Sequence, residues 1–259
     1  GVAADTGNIC KDLEDRAAEL AQSLGVDYLE LRNRAQTRED WPARSMHATF
    51  VREIAGTDDE EILLSIKNKQ RAVVRKGIRN DFATTLQEDV DDFYRAYSTS
   101  VRNLGTPVFS KRYFQNLKKH FGKQCEIVTI SQGGELHAAL ISFYFKHQVL
   151  PFYGGGLPIS RASKAMDFMY FDLMRRAARQ GFKEFDFGRS KVDSGPYHYK
   201  RHWGFTPSPL HYQYFLVGAA AIPELNVNNP KYGMLIAAWK KLPVGVTRLI
   251  GPMISRNLG

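Results

Sequence analysis

The spacing of apolar positions changes period several times along the chain, and each change marks an element. Leu13, Ala17, Leu20, Ala21 and Leu24 recur at three to four residues, which predicts an amphipathic helix over Asp12 to Leu24, stopped by Gly25. Tyr28 to Arg32 alternates as a strand does, and 47–54 reads as a second strand. Asp58 to Arg79 reads as one helix with an Asp-rich start that suits its dipole. A short strand at 82–86 precedes helices at 90–101 and 111–121, with Gly105-Thr106-Pro107 turning the chain between them. Strands follow at 126–130 and 136–145 around a Gly133-Gly134 hairpin, and a third at 149–153 runs into Gly154-Gly155-Gly156. The remaining elements are a helix at 164–180, a strand at 184–188, a short helix at 197–202, a strand at 211–217 and a Pro-punctuated helical tail. This order predicts an α+β fold with a mostly antiparallel, centrally splayed sheet and argues against a doubly wound one.

Composition narrows the setting. The 259 residues are 43% apolar and 24% charged, ordinary for a globular chain with ample material for a core. Two cysteines, Cys10 and Cys125, exclude a disulfide scaffold and a four-cysteine zinc site. No apolar run approaches the roughly 20 residues of a membrane-spanning helix. The N-terminal residues are acidic and helical rather than basic and then apolar, so a reduced, cytoplasmic location is expected. The chain opens at Gly1 and leads directly into a helix, which fits a first domain whose earlier strands precede Gly1.

Charge is uneven. The net value is +9, although the first forty residues are acidic. Two stretches are basic and acid-free: Lys67 to Arg79, and Leu225 to Gly259 with Lys231, Lys240, Lys241, Arg248 and Arg256. They suit a phosphate-bearing partner, RNA or an anionic membrane surface, or they are solvated helix faces. In the tail, Trp239 beside Lys240 and Lys241 is an interfacial combination, so peripheral contact with the inner membrane face is one expectation and packing onto the first domain the other.

Several short motifs carry chemistry. Asp186-Phe187-Gly188 lacks the companion motifs of a protein kinase and is not read as one. His198 and His202 are four apart, with His211 the only further candidate, but the missing Glu argues for surface or substrate contact over a metal site. Gly154, Gly155 and Gly156 permit a backbone to approach a ligand closely. Arg189, Ser190 and Lys191, delivered after Gly188 at a strand end, suit the gripping of an anion. Tyr197, Tyr199 and Trp203 surround Lys200, which could present a fixed positive charge to a developing oxyanion.

In this order, the chain resembles the FemAB family of aminoacyl transferases, which use the GNAT acyltransferase fold, close to the branch associated with exosortase/PEP-CTERM systems in exopolysaccharide-producing bacteria. The residues that carry the likeness are Leu29-Glu30-Leu31-Arg32, Val74-Arg75-Lys76, Leu104-Gly105-Thr106-Pro107 and Tyr153-Gly154-Gly155. With them go Phe187-Gly188-Arg189-Ser190-Lys191, Tyr199-Lys200, Trp203-Gly204-Phe205 and Trp239-Lys240-Lys241-Leu242-Pro243. The resemblance implies the end of a first GNAT-like domain at 1–80, a complete second one at 81–218, and a basic helical tail at 219–259. It places Lys200, after the aromatic Tyr199, where the family's transition-state lysine stands. It implies transfer of an acyl or aminoacyl group to an amine of a peptidoglycan or exopolysaccharide precursor, with no tightly bound cofactor and aminoacyl-tRNA or acyl-CoA as donor. The single helix at 58–79 replaces the family's long tRNA-associated hairpin. Tyr153 or Tyr197 is a candidate proton carrier, and Arg189 and Lys191 are expected to face the same cleft as Tyr153 and Lys200. The contrasting reading is a non-catalytic GNAT-like module that binds an anionic glycan or a membrane.

Overall fold

The computed structural model describes residues 1–222 and 230–256. Helices α1 (Gly7–Leu24), α2 (Asp59–Leu64), α3 (Asn68–Ile78), α4 (Asp91–Leu104), α5 (Lys111–Phe121), α6 (Ile159–Ser163), α7 (Ala165–Arg179), α8 (Gly195–His202), α9 (Pro230–Lys241) and α10 (Val244–Ser255) alternate with eight strands. These are β1 (Tyr28–Asn33), β2 (Ala43–Glu53), β3 (Ala83–Gln87), β4 (Cys125–Gln132), β5 (Glu135–Phe145), β6 (Gln148–Gly156), β7 (Glu184–Lys191) and β8 (Ser208–Leu216). The chain forms two compact units and passes between them inside β2, after Phe50, and inside β7, after Gly188. The units interleave in sequence, so the expected boundary at residue 80 is not where they divide.

The first unit holds Gly1–Phe50, Arg189–Arg201 and the chain from Thr206 through β8. Thr6 caps α1 by accepting from the Ile9 amide, and Gly25 closes it in the left-handed conformation. β8 pairs antiparallel with β1 and with β2, Arg32 and Arg44 both standing opposite Tyr212 and His47 opposite Leu210. Gln213 is fully buried and both ends of its amide are engaged: Oε1 accepts from Asn33 and Thr37, and Nε2 donates to the Arg38 carbonyl. Burial of an amide is tolerated only on such terms.

The second unit contains Val51–Gly188, His202–Phe205 and the C-terminal helices. Its strands run in the order β7-β6-β5-β4-β3, antiparallel except for β6 and β7, which are parallel. That parallel ladder comprises Gln148↔Glu184 and Val149↔Phe185, so the two strands part beyond their first residues and the expected central splay is present. Side chains alternate along β5 and β6. Ala139 and Ile141 join the α4/α5 core with Phe93, Tyr97 and Phe114, while Leu140 lies beside Gly154, next to Met169 and Tyr170 of α7.

Three local expectations are corrected. The helix expected over 58–79 is two, α2 and α3, because the Ser65 carbonyl and hydroxyl both accept from the Arg52 guanidinium instead of continuing the helix. Gly154, Gly155 and Gly156 are the end of β6, paired with Leu140, Ala139 and Ala138, rather than a loop after it. A Cβ on Gly155 would stand 2.6 Å from the Tyr97 Cα, so the glycine is what lets α4 cross the strand at this distance. Finally, the C-terminal helices, expected on the first domain or a membrane surface, rest on α4 of the second unit. Arg248 Nε donates to Ser98 Oγ (2.8 Å), and Gly251 packs on Val108. The expected start of that tail at Leu225 lies outside the described residues.

Candidate active site

The candidate centre of the first unit is built where β7 ends and α8 begins. Gly188 takes φ +70°, a conformation open to glycine, and its amide donates to the Asp186 carboxylate (2.8 Å), so the strand turns locally without ending. β7 therefore continues through Arg189, Ser190 and Lys191. Ser194 then starts α8: its hydroxyl accepts from the Tyr197 amide (3.3 Å) and donates to the Lys191 carbonyl (2.7 Å). Pro196 fits the first turn, where its missing N–H costs nothing.

Helical spacing brings Tyr197 and Lys200 onto Phe50. The Tyr197 ring meets Phe50 edge-on at 5.3 Å, and Lys200 Nζ lies 5.4 Å from the centre of the same ring. Nζ also donates to the Arg189 carbonyl (3.0 Å). Lys200 is 9% exposed, a nearly buried ammonium held by a carbonyl and an aromatic face. Ser190 is buried too, and its Oγ has no hydrogen-bond partner among the described residues. Tyr199 is half-buried.

Arg189 and Lys191 do not join this group. Strand residues alternate faces, so 189 and 191 point away from Ser190. The Arg189 guanidinium donates to the Tyr212 hydroxyl (2.7 Å), and Tyr212 stacks on His47. His47 and Phe50 occupy opposite faces of β2, three residues apart, which puts the Arg189 side chain on the other side of the strand from Lys200. The single cleft expected for Arg189, Lys191 and Lys200 is thus replaced by two faces.

The candidates of the second unit lie in its core layers. Trp203, expected at the substrate, is fully buried and packs edge-on to Tyr170 (6.2 Å) and Phe187 (6.1 Å). It falls beyond the end of α8, where the chain turns inward, and its place is the core. Tyr153 lines a cavity of about 390 Å³ with Tyr113, Leu117, Phe143, Leu150 and Phe152. Its hydroxyl is 2.9 Å from that of Tyr113. Burial first, and then the Tyr113 hydroxyl, pushes the Tyr153 phenol well above the ordinary tyrosine range, so it is protonated at neutral pH and suited to donating rather than to accepting a proton.

Sequence reasoning passed over Phe50, Arg32, His47 and Tyr212 as contacts of these groups. The alternation in 28–32 and 47–54 was the available signal, because it fixes which side chains share a face, although not which strands adjoin.

The profile of the acetyltransferase (GNAT) domain matches residues 61–201. No curated protein sequence matches the chain significantly. Among solved structures, FemX is similar with a TM-score of 0.66 at 13% identity, over 91% of this chain and 81% of that one. The C-terminal domain of a putative lysylphosphatidylglycerol synthetase from Agrobacterium fabrum is similar with a TM-score of 0.59 at 12% identity, over 78% of this chain and 72% of that one. A tandem GNAT protein from the clavulanic acid biosynthesis pathway gives 0.51 at 12% identity, over 84% and 73%. At such identities the three structures speak for the fold alone. The profile match spans more than half of the sequence, and with the splayed sheet it shows that this chain belongs to the acetyltransferase (GNAT) domain family.

Proposed function

We propose that this GNAT-fold acyltransferase moves an acyl or aminoacyl group onto an amine of a cell-envelope precursor, with Lys200 opposite the developing oxyanion. The observation that carries this reading is the fixed, nearly buried ammonium of Lys200, between the Arg189 carbonyl and the Phe50 ring. The acceptor nitrogen attacks the donor carbonyl carbon, a C–N bond forms, and the C–O or C–S bond of the donor breaks. The amine proton leaves as the departing hydroxyl or thiol gains one. A preorganised positive charge favours the tetrahedral oxygen over the ground-state carbonyl, which is what accelerates the step. Ser190 and Tyr197 frame that charge, and Tyr199 precedes it on α8. Tyr153 and the Gly154–Gly156 strand end belong to the second unit and stay separate candidates in this reading, the phenol as a hydrogen-bond donor with its proton retained.

The aminoacyl-tRNA donor and the envelope acceptor rest on the residues of the FemAB resemblance, Tyr199-Lys200 above all. The family's description as acetyltransferases favours acyl-CoA. Peptidoglycan, exopolysaccharide and the PEP-CTERM setting belong to the same proposal, on the residues of the FemAB resemblance. We place the protein at the cytoplasmic side of the membrane, where α9 and α10 expose Met234, Leu235, Leu249 and Met253 beside Lys240 and Lys241. Among the described residues no helix is long and apolar enough to cross a membrane.

Calorimetric titration with CoA and with a non-hydrolysable aminoacyl-tRNA analogue separates the donors. Mass spectrometry of envelope precursors, from cells with and without the protein, then identifies the acceptor. Binding of neither donor, together with unchanged precursors, overturns the reading.

A further inference from the structure

Face two of the first unit, away from Lys200, carries its own arrangement of charge. Tyr212 on β8 lies between β1 and β2. From β1, the Arg32 guanidinium sits over its ring at 5.4 Å. From β2, the His47 imidazole stacks on it at 5.0 Å and 11°. At the far end of the ring Arg189 donates to the hydroxyl (2.7 Å), and Lys191 follows two residues on along the same face. The one carboxylate among these groups, Glu30, is already engaged: it accepts from Tyr214 (2.5 Å) and from Arg32 (2.5 Å). Burial raises its carboxyl, but those two hydrogen bonds together with the Arg32 and Arg189 charges outweigh that and hold it below the ordinary range.

We propose that Arg32, His47, Arg189 and Lys191, gathered round Tyr212, form a binding site for a phosphate group. Three permanent cations meet one neutralised carboxylate on an open face, where Arg189 and Lys191 are exposed. Two guanidiniums supply planar donor forks and a lysine a point charge, the usual complement for phosphate oxygens. Tyr212 positions them: it holds Arg189 by its hydroxyl and spaces Arg32 and His47 on either side.

His47 reports on the site. Its Nδ1 is buried without a hydrogen-bond partner among the described residues. Burial first, then Arg189, Arg32 and Lys191, lower its affinity for a proton, with Glu30 the opposing influence. An anion seated among the same cations would offset their repulsion, so the imidazole should gain protons as the site fills, and anion affinity should rise as His47 protonates. The inference goes beyond the transfer reading and does not depend on it, because binding is read without any reaction.

The test uses sulfate, whose charge is constant over the range, and follows the His47 imidazole resonances by NMR, assigned with His47→Gln. Saturable sulfate-dependent shifts of His47, with its titration midpoint moved upward, are expected. Arg189→Gln and Lys191→Gln, both at exposed positions, should weaken binding by roughly tenfold or more each. An unmoved His47, or sulfate affinity in both variants unchanged from that of the parent chain, overturns the proposal. Two further arms identify the source of the phosphate. Glycerol 3-phosphate in solution competing with sulfate identifies a soluble phosphate ester. Competition only by phosphatidic acid in phosphatidylcholine vesicles, weakened by the two substitutions, identifies a lipid headgroup, and competition by neither counts against a phosphate site.

Discussion

In the proposed reading Lys200 combines a chemical role with a structural one, which a lysine on a helix does not ordinarily do. Its burial means that Lys200→Ala removes a donor from the Arg189 carbonyl as well as a charge. Loss of such a hydrogen bond costs about 1–3 kcal/mol, and loss of an oxyanion-stabilising donor about 10²–10³ in rate. Lys200→Ala should therefore fold with a lowered melting temperature and lose turnover, and Lys200→Arg should lose turnover because a planar fork does not reproduce a compact ammonium. Steady-state transfer assays beside thermal unfolding check both, and full activity in either variant would remove the assigned role. His47 gives a second prediction. Its folded-state pKa lies below the ordinary 6.5. The unfolded chain thus binds more protons just below that pH, so folding stability should fall as pH drops from about 6.5 through the folded value. Denaturant titrations between pH 5 and pH 7 should show a shallower pH slope in His47→Gln than in the unchanged chain. The lysine and its aromatic neighbours were legible from the sequence, but their burial was not, since burial depends on Phe50, which is 150 residues away along the chain.

The elements were largely legible because their periods are strong: α1, α4, α5, α7 and the strands stand within a few residues of their expected places. The departures have local physical causes. β6 runs three residues further than expected because glycines, poor strand formers in isolation, are here paired with β5 and pressed against α4. Gly155→Ala should consequently destabilise the chain by about 1–3 kcal/mol through overpacking, without altering charge at any site. Urea unfolding measures it, and an unchanged midpoint would show that α4 yields instead. The break between α2 and α3 was invisible in sequence, because Arg52, which ends the helix at Ser65, belongs to a strand. Alternation along β7 was available in advance and decides more than any motif: it sends Ser190 inward and Arg189 and Lys191 outward.

On the scale of the whole molecule, the tail offers a test of location. Its exposed apolar residues and Lys240, Lys241 and Arg256 suit an anionic interface, where each basic residue contributes about 1 kcal/mol. Co-sedimentation should be stronger with anionic than with neutral vesicles and should weaken as salt is added. Equal recovery on both vesicle types would remove the electrostatic attraction. The sequence by itself determined the class of fold, the order of its elements, the splayed pair of strands and the lysine that follows an aromatic on a short helix. Those properties arise from local periodicity and turn chemistry, which neighbouring residues settle among themselves. Only the tertiary structure decided that Trp203 is core, that the C-terminal helices rest on α4, and that Lys200 and the cations round Tyr212 lie on opposite faces. Each of these depends on which distant strand or helix lies alongside, and that is settled by packing between segments the chain brings together only when it folds.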